Sequence, residues 1–242
     1  TDTRHRLNMT IRAGCRVHRI IIENRRAVGV VAESDGEMFE IRAGEVIVSA
    51  GAVVSPQLLM LSGIGPAGHL EGHGIKVVAD VPGVGRNLQD HPKVFVVWST
   101  VPDFQYHLDR KRLQLALRYT ASESHERNDM AVYMDSISTG RLDRGGDAKK
   151  PIGVEMNLVL HSADSRGEIR LNSTDVTDQP LIDFNYMAEP RDLVRMRDGV
   201  RKLVIIGEQQ EFRMIADKMI QPTADIIKID QVLDEWIRRE VV

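Results

Sequence analysis

At 242 residues the chain is long enough for one large domain or two small ones, and 42% hydrophobic with 28% charged residues is the make-up of an ordinary globular protein. A net charge of −3 with no clustered basic excess excludes nucleic acid as the expected partner, and no run of roughly 18 apolar residues supplies a membrane span. The single Cys15 has no internal disulfide partner, which fits a reducing, cytoplasmic setting; no signal peptide is legible, although Thr1 is not a methionine.

Residues 7–48 read as β structure. Val17, Arg19 and Ile21 alternate with His18, Ile20 and Ile22, Asn24-Arg25-Arg26 is a polar break, and residues 27–32 resume the pattern. Ser34-Asp35-Gly36 is a turn signal, residues 38–41 form another short run, and residues 45–49 read as an apolar strand of the kind buried in a parallel sheet. Ser55-Pro56 predicts a helix start, with serine as N-cap and proline in the first turn, and Ser62-Gly63 ends that helix. Residues 63–92 are glycine-rich, a long connection with a short strand at 76–78. Beyond Pro92, residues 94–98 read as a strand, 112–119 as a helix, 143–150 as a charged flexible loop, and 152–161 and 167–171 as strands. Residues 192–206 form an amphipathic helix with Leu193, Met196, Val200, Leu203 and Val204 on one face. Residues 230–241 form the last helix, with Val232, Leu233, Trp236 and Ile237 inward. The expected division is 1–92 and 93–242.

The segment from Val46 to Gly65 concentrates chemistry. Ala50 and Gly51 have almost no side chain, so another group can approach their backbone closely. A helix N-terminus follows, and such ends attract anions through free N–H groups and the dipole. The same small residues would also serve tight strand–helix packing, and local physics leaves the two readings even.

Residues 51–65, GAVVSPQLLMLSGIG, resemble the second signature of the glucose–methanol–choline oxidoreductases at every defined position. Residues 85–92 (GRNLQDHP) resemble that family's GxNLxDHP segment, and residues 166–171 with 180–186 its substrate-domain strand pair. Residues 6–11 resemble the stretch leading into its adenine-side strand. The resemblance covers nearly the whole chain, with a choline-dehydrogenase flavour. It implies a fold of mixed α/β and α+β type: a partial Rossmann-like FAD-binding domain over 1–92, and a substrate domain over 93–242 with an antiparallel sheet flanked by helices. It implies FAD as cofactor, a small-molecule alcohol as substrate, and hydride transfer from the alcohol carbon to the flavin. It places Val17 beside the adenine, Ser49, Ala50 and Gly51 at the cofactor, and Asn87, Asp90 and His91 in a segment that packs near the flavin.

Departures accompany it. The family's N-terminal GxGxxG turn and first signature have no counterpart here, and its catalytic histidine belongs to a C-terminal segment that these residues do not include. Val176 stands where a proline is usual and Thr223 where glycine often follows the proline. No catalytic residue is therefore assigned, and the chain by itself is expected to be incomplete for catalysis and for tight FAD binding. A lyase of the same fold with structural FAD, or a non-catalytic fragment that binds no FAD, are the alternatives. His69 and His73 are spaced i, i+4, as a metal pair on a helix would be, but Gly68, Gly72 and Gly74 favour a solvated loop.

Overall fold

The computed structural model describes residues 2–109, 111–122, 124–140, 145–147 and 149–242. It divides into two compact units: Thr1–Leu88 with Gly167–Phe184, and Gln89–Arg166 with Asn185–Val242. A break four residues before Pro92 lies close to the expected boundary. A contiguous second domain over 93–242 does not form, because residues 167–184 return to the first unit. Residues 143, 144 and 148 of the expected 143–150 loop lie outside the described residues.

In the first unit, β1 (Arg16–Glu23), β2 (Arg26–Ser34) and β3 (Glu37–Arg42) make an antiparallel meander. Both connections are two-residue turns with positive φ, Asn24-Arg25 and Asp35-Gly36. Such turns match the twist of the strands they join, which is why polar, turn-forming residues interrupt the apolar alternation there. Residues 45–49 join no ladder among the described residues, and Ile47 is 80% exposed. A strand exists only through its neighbours' hydrogen bonds, so apolar content alone did not make one here.

The helix that follows, α1 (Gly51–Leu61), has Ala50 as its N-cap and begins five residues before the expected start. Ser55 is not the N-cap; its Oγ instead accepts a hydrogen bond from the Ala50 N–H at 3.0 Å, and Pro56 sits inside the helix. At the other end, the Ser62 Oγ donates back to the Leu58 carbonyl at 2.6 Å and accepts the Ile20 N–H of β1 at 2.8 Å, which seats the helix on that strand. β4 (Ile64–Gly65) pairs in parallel with β5 (Ala79–Asp80), so the short strand lies just beyond residues 76–78. α2 (Ala67–Gly72) is a helix in spite of its glycines. β11 (Gly167–Arg170) pairs with β12 (Leu181–Asp183) on one side and β6 (Arg86–Leu88) on the other. Met60, Leu70, Ile169 and Leu171 form the small core beneath these pieces.

The second unit is a five-stranded antiparallel sheet in the order β13-β7-β10-β9-β8. Its strands are β7 (Lys93–Thr100), β8 (Leu113–Tyr119), β9 (Met130–Ser138), β10 (Gly153–Leu160) and β13 (Ala216–Gln221). The predicted helix over 112–119 is β8, an edge strand. Leu113, Leu115, Leu117 and Tyr119 recur at every second position, the period of a strand rather than of a helix. One face of the sheet buries Val94, Val96, Trp98, Val132, Met156, Leu158 and Leu160 against α3 (Pro190–Gly207) and α6 (Asp230–Glu240). α4 (Gln210–Arg213) and α5 (Ala224–Lys228) complete the unit. Val232 on α6 faces outward more than its neighbours Leu233, Trp236 and Ile237. Gly199 lets α3 approach the sheet: a Cβ there would lie 2.6 Å from Leu158 Cδ2 and 2.9 Å from the Tyr119 hydroxyl oxygen.

A buried ion cluster pins α3. Arg195, 1% exposed, donates to Asp129 Oδ2 at 3.1 Å, to Asp192 Oδ1 at 2.6 Å and to the Ser162 carbonyl at 2.9 Å. Asp192 also accepts the backbone N–H groups of Asp164 and Ser165, both at 2.8 Å, and the Ser165 hydroxyl at 2.5 Å. Burial by itself would raise the Asp192 carboxyl, but these hydrogen bonds outweigh it and hold its pKa below the ordinary aspartate value.

Three outcomes follow from this packing. Arg195→Met strands two buried carboxylates and should cost about 3–5 kcal/mol in a urea titration. Because the folded pKa of Asp192 is depressed, its contribution is complete above the unfolded value near 4 and is lost as pH falls through the folded one. Stability of the wild type should therefore decline more steeply below pH ~4 than that of Asp192→Asn, measured as urea midpoint against pH. Gly199→Val should lower stability by about 1–3 kcal/mol through overpacking against Leu158.

Candidate functional site

The expected cofactor residues fall into both units. In the first, Ser49, Ala50 and Gly51 form one exposed turn at the head of α1. Gly51 has φ +88°, a left-handed conformation that glycine adopts without strain, and a Cβ there would meet nothing within 4 Å. The backbone at this point is bare, and α1 is eleven residues long, so its leading N–H groups face outward with the helix dipole behind them. Val17 lies half-buried on β1, opposite Ala32. β1 is an edge of its three-stranded sheet, so its outer backbone groups have no strand partner there. α1 packs on this same strand, through the Ser62–Ile20 hydrogen bond at its C-terminal end. Asn87 is exposed on β6 with φ +61°.

His69 and His73 are not a solvated loop. His69 is inside α2, its ring meets that of His73 at 4.7 Å between centroids, and its Nε2 accepts the Leu171 N–H at 3.0 Å. Burial, then His73 and Arg170, hold the His69 pKa below the ordinary histidine value, so it stays the neutral acceptor this contact needs.

In the second unit, Asp90 and His91 sit with two residues that the motif reading did not single out, His161 and Tyr186. Asp90 Oδ1 accepts the His91 backbone N–H at 2.7 Å. Burial and then the Asp90 carboxylate, which accepts a hydrogen bond from the Tyr186 hydroxyl, push the Tyr186 pKa up to about 12. His91 Nε2 and His161 Nδ1 are 3.4 Å apart, with their rings edge to face at 4.4 Å between centroids. Burial, His91 and Arg118 all hold the His161 pKa below the ordinary histidine value.

These four residues border the open face of the sheet, the one turned away from α3 and α6. Across β7, β10 and β9 that face carries the rows Phe95–Asn157–Tyr133 and Val97–Glu155–Asp135. Arg112 grips Asp135 through Nε and one terminal nitrogen, each at 3.2 Å from a carboxylate oxygen. Burial, reinforced by Asp135, raises the Glu155 carboxyl above its ordinary value. Two recesses open on this face: one of about 450 Å³ beside Asn157, His91 and His161, the other of about 540 Å³ beside Glu155, Arg112 and Ser138. The signal for this face was present in the sequence. Glu155, Asn157 and His161 alternate with Val154, Met156, Leu158 and Leu160, the pattern of a strand with one buried and one functional side.

Comparison with known proteins places the chain in a family. Two models described as GMC oxidoreductase match residues 1–93 and 163–239. The oxygen-dependent choline dehydrogenase of Sinorhizobium medicae is 34% identical over 249 residues, 94% of this chain and 45% of that protein. The protein of the same name from Brucella suis is 35% identical over 244 residues, covering 92% and 44%. Among solved structures, pyridoxine 4-oxidase from Mesorbium loti superposes with a TM-score of 0.85 at 24% identity, over 99% of this chain and 47% of that one. Formate oxidase superposes at 0.76 with 22% identity, over 94% and 48%, and the Aspergillus oryzae RIB40 enzyme of that name is described by a modification of its FAD. The chain spans about half the length of the relatives it matches. With the glycine turn and helix of residues 49–61 and the open antiparallel sheet both in place, the chain belongs to the GMC oxidoreductase family.

Proposed function

We propose that this chain serves the FAD-dependent oxidation of a small alcohol. The observation that carries the reading is the exposed, left-handed Gly51 at the outward-facing head of α1, in a chain of this family. The residues present suit FAD. Ser49, Ala50 and Gly51 offer an uncluttered backbone and a helix N-terminus to an anionic phosphate. Val17 offers the outer backbone edge of β1 to the adenine ring. Asn87 in the first unit, and the Asp90-His91 pair in the second, are polar groups that the family resemblance assigns near the flavin. When bound, FAD would supply the acceptor for the hydride leaving the alcohol carbon.

What this chain contributes is recognition. The open sheet face of the second unit is recessed and largely apolar with a few polar groups, a surface suited to holding an alcohol and shielding it from water. The His91–His161 ring pair and the Asp90–Tyr186 hydrogen bond lie at its border, with Lys93 beside them. No described residue is assigned as the base that takes the hydroxyl proton. Choline, for which the similar dehydrogenases are named, is one candidate alcohol.

The test is anaerobic. FAD-loaded protein carrying this chain is mixed with an alcohol while the visible flavin absorption is followed. Bleaching supports the reading, and an unchanged spectrum with every alcohol that binds contradicts it. A second outcome concerns Gly51. Gly51→Val places a branched side chain at positive φ where the phosphate would approach, and should weaken FAD binding about tenfold or more by fluorescence titration, since ~1.4 kcal/mol is tenfold.

A further inference from the structure

In the first unit, His69 directly precedes Leu70, and its Nε2 accepts the N–H of Leu171 at 3.0 Å, across 102 positions of sequence. Leu70 and Leu171 are two of the four buried residues of the small core, 0% and 2% exposed. One imidazole therefore fastens α2 to the end of β11. β11 is the middle strand of its sheet, with β12 on one side and β6, which carries Asn87, on the other. A core of four buried residues removes little apolar surface from water, so a single polar contact between its elements carries weight.

The contact works in one protonation state. A ring nitrogen that accepts carries no proton, so neutral His69 holds its proton on Nδ1. When the ring takes a second proton, Nε2 becomes a donor aimed at the Leu171 N–H, and two donors face each other where a hydrogen bond stood. His73 differs. Its ring packs edge to face on His69, 4.7 Å between centroids, and its Nδ1 donates to the His69 carbonyl at 3.0 Å. That bond survives protonation of His73, because Nδ1 carries a proton in both forms. The charged groups around His69 are His73 on its own helix, and Glu168 and Arg170 on β11. Burial first, then His73 and Arg170, oppose a proton on His69. Glu168 favours one, but it is already bridged to Arg170 at 2.8 Å and to Arg86. We propose that His69 is an acid-sensitive clasp, whose neutral ring fastens α2 to β11 and whose protonation loosens residues 167–184 from the rest of the first unit. Because the folded pKa is depressed, the stability the clasp contributes is complete above the unfolded value near 6.5 and is lost as pH falls through the folded one. The Arg195–Asp192 cluster of the second unit weakens only below pH ~4, so the two responses are separate. The proposal does not depend on the alcohol-oxidation reading.

The test is amide exchange in protein carrying this chain, followed by NMR from pH ~7.5 to pH ~4.5, a range that spans the histidine window and stays above the aspartate one. Exchange is expressed as protection relative to the unfolded chain at the same pH. Protection of the Leu171 amide should fall about fivefold or more over that range, the worth of one hydrogen bond, while the amides of α3 hold theirs. His69→Gln, whose side-chain oxygen accepts at every pH, should keep its Leu171 protection throughout. His73→Gln should retain the wild-type fall. Constant Leu171 protection in the wild type, the same fall in His69→Gln, or no fall in His73→Gln would overturn the proposal. The wild-type ring gives a second readout that needs no variant. Its nitrogen shifts should show the Nδ1–H form of His69 at pH ~7.5, and the Leu171 amide shift should move in step with the ring's titration. An Nε2–H form, or a Leu171 shift that does not follow the ring, would contradict it.

Discussion

A guanidinium with 1% of its surface exposed holds the second unit in register. Arg195 projects from α3 and meets Asp129, at the start of β9, and Asp192, one turn earlier on its own helix. Asp192 in turn binds the backbone of residues 164 and 165. One helix, one strand and one loop are fixed by a single charge cluster, and none of its members can leave without stranding an opposite charge away from water. The large apolar core supplies more stabilisation than this cluster, but apolar contacts alone would let a helix slide along a sheet. The cluster sets where α3 lies, and Gly199 sets how near.

That placement has a consequence for chemistry. With α3 and α6 covering one face, the polar alternation of β10 is left to the other. A sheet that buries one side and opens the other usually faces plain solvent with charged, mobile side chains. This one turns toward its open side a buried amide, a buried carboxyl, a guanidinium fork and two histidines packed edge to face. Such groups cost folding energy where they stand, and a protein that keeps them uses them to recognise something.

Much of this was legible in the sequence and some was not, for physical reasons. The turns at Asn24-Arg25 and Asp35-Gly36, the helix over 190–207 and the strand over 153–160 declare themselves by local chemistry and period. The helix assigned to 112–119 was a misread period, since its leucines recur every second residue. The strand assigned to 45–49 failed because β structure depends on neighbours that local composition does not specify. Ser55-Pro56 resembles a helix cap, yet a left-handed Gly51 starts the helix earlier, and backbone φ is not written in side-chain chemistry. The return of 167–184 to the first unit depends on β6 pairing with β11 across some eighty residues of chain, a contact that no local pattern encodes. Of the candidate site, residues 49–51 and 90–91 stand out in the sequence through the motifs that hold them. Asn157 and His161 stand in the sequence only as polar positions of an alternating strand, and their grouping with His91, Tyr133 and Tyr186 follows from the strand pairing.

The central claim is that residues 49–51 with the head of α1, and β1 beside them, hold the nucleotide part of FAD. Hydrogen–deuterium exchange compared between FAD-loaded and FAD-free protein tests it most directly. The account predicts slowed exchange at the backbone amides of residues 49–54 and along β1, with α3 and the Arg195 cluster unchanged. Equal exchange at residues 49–54 in the two states, with FAD demonstrably bound, would contradict it.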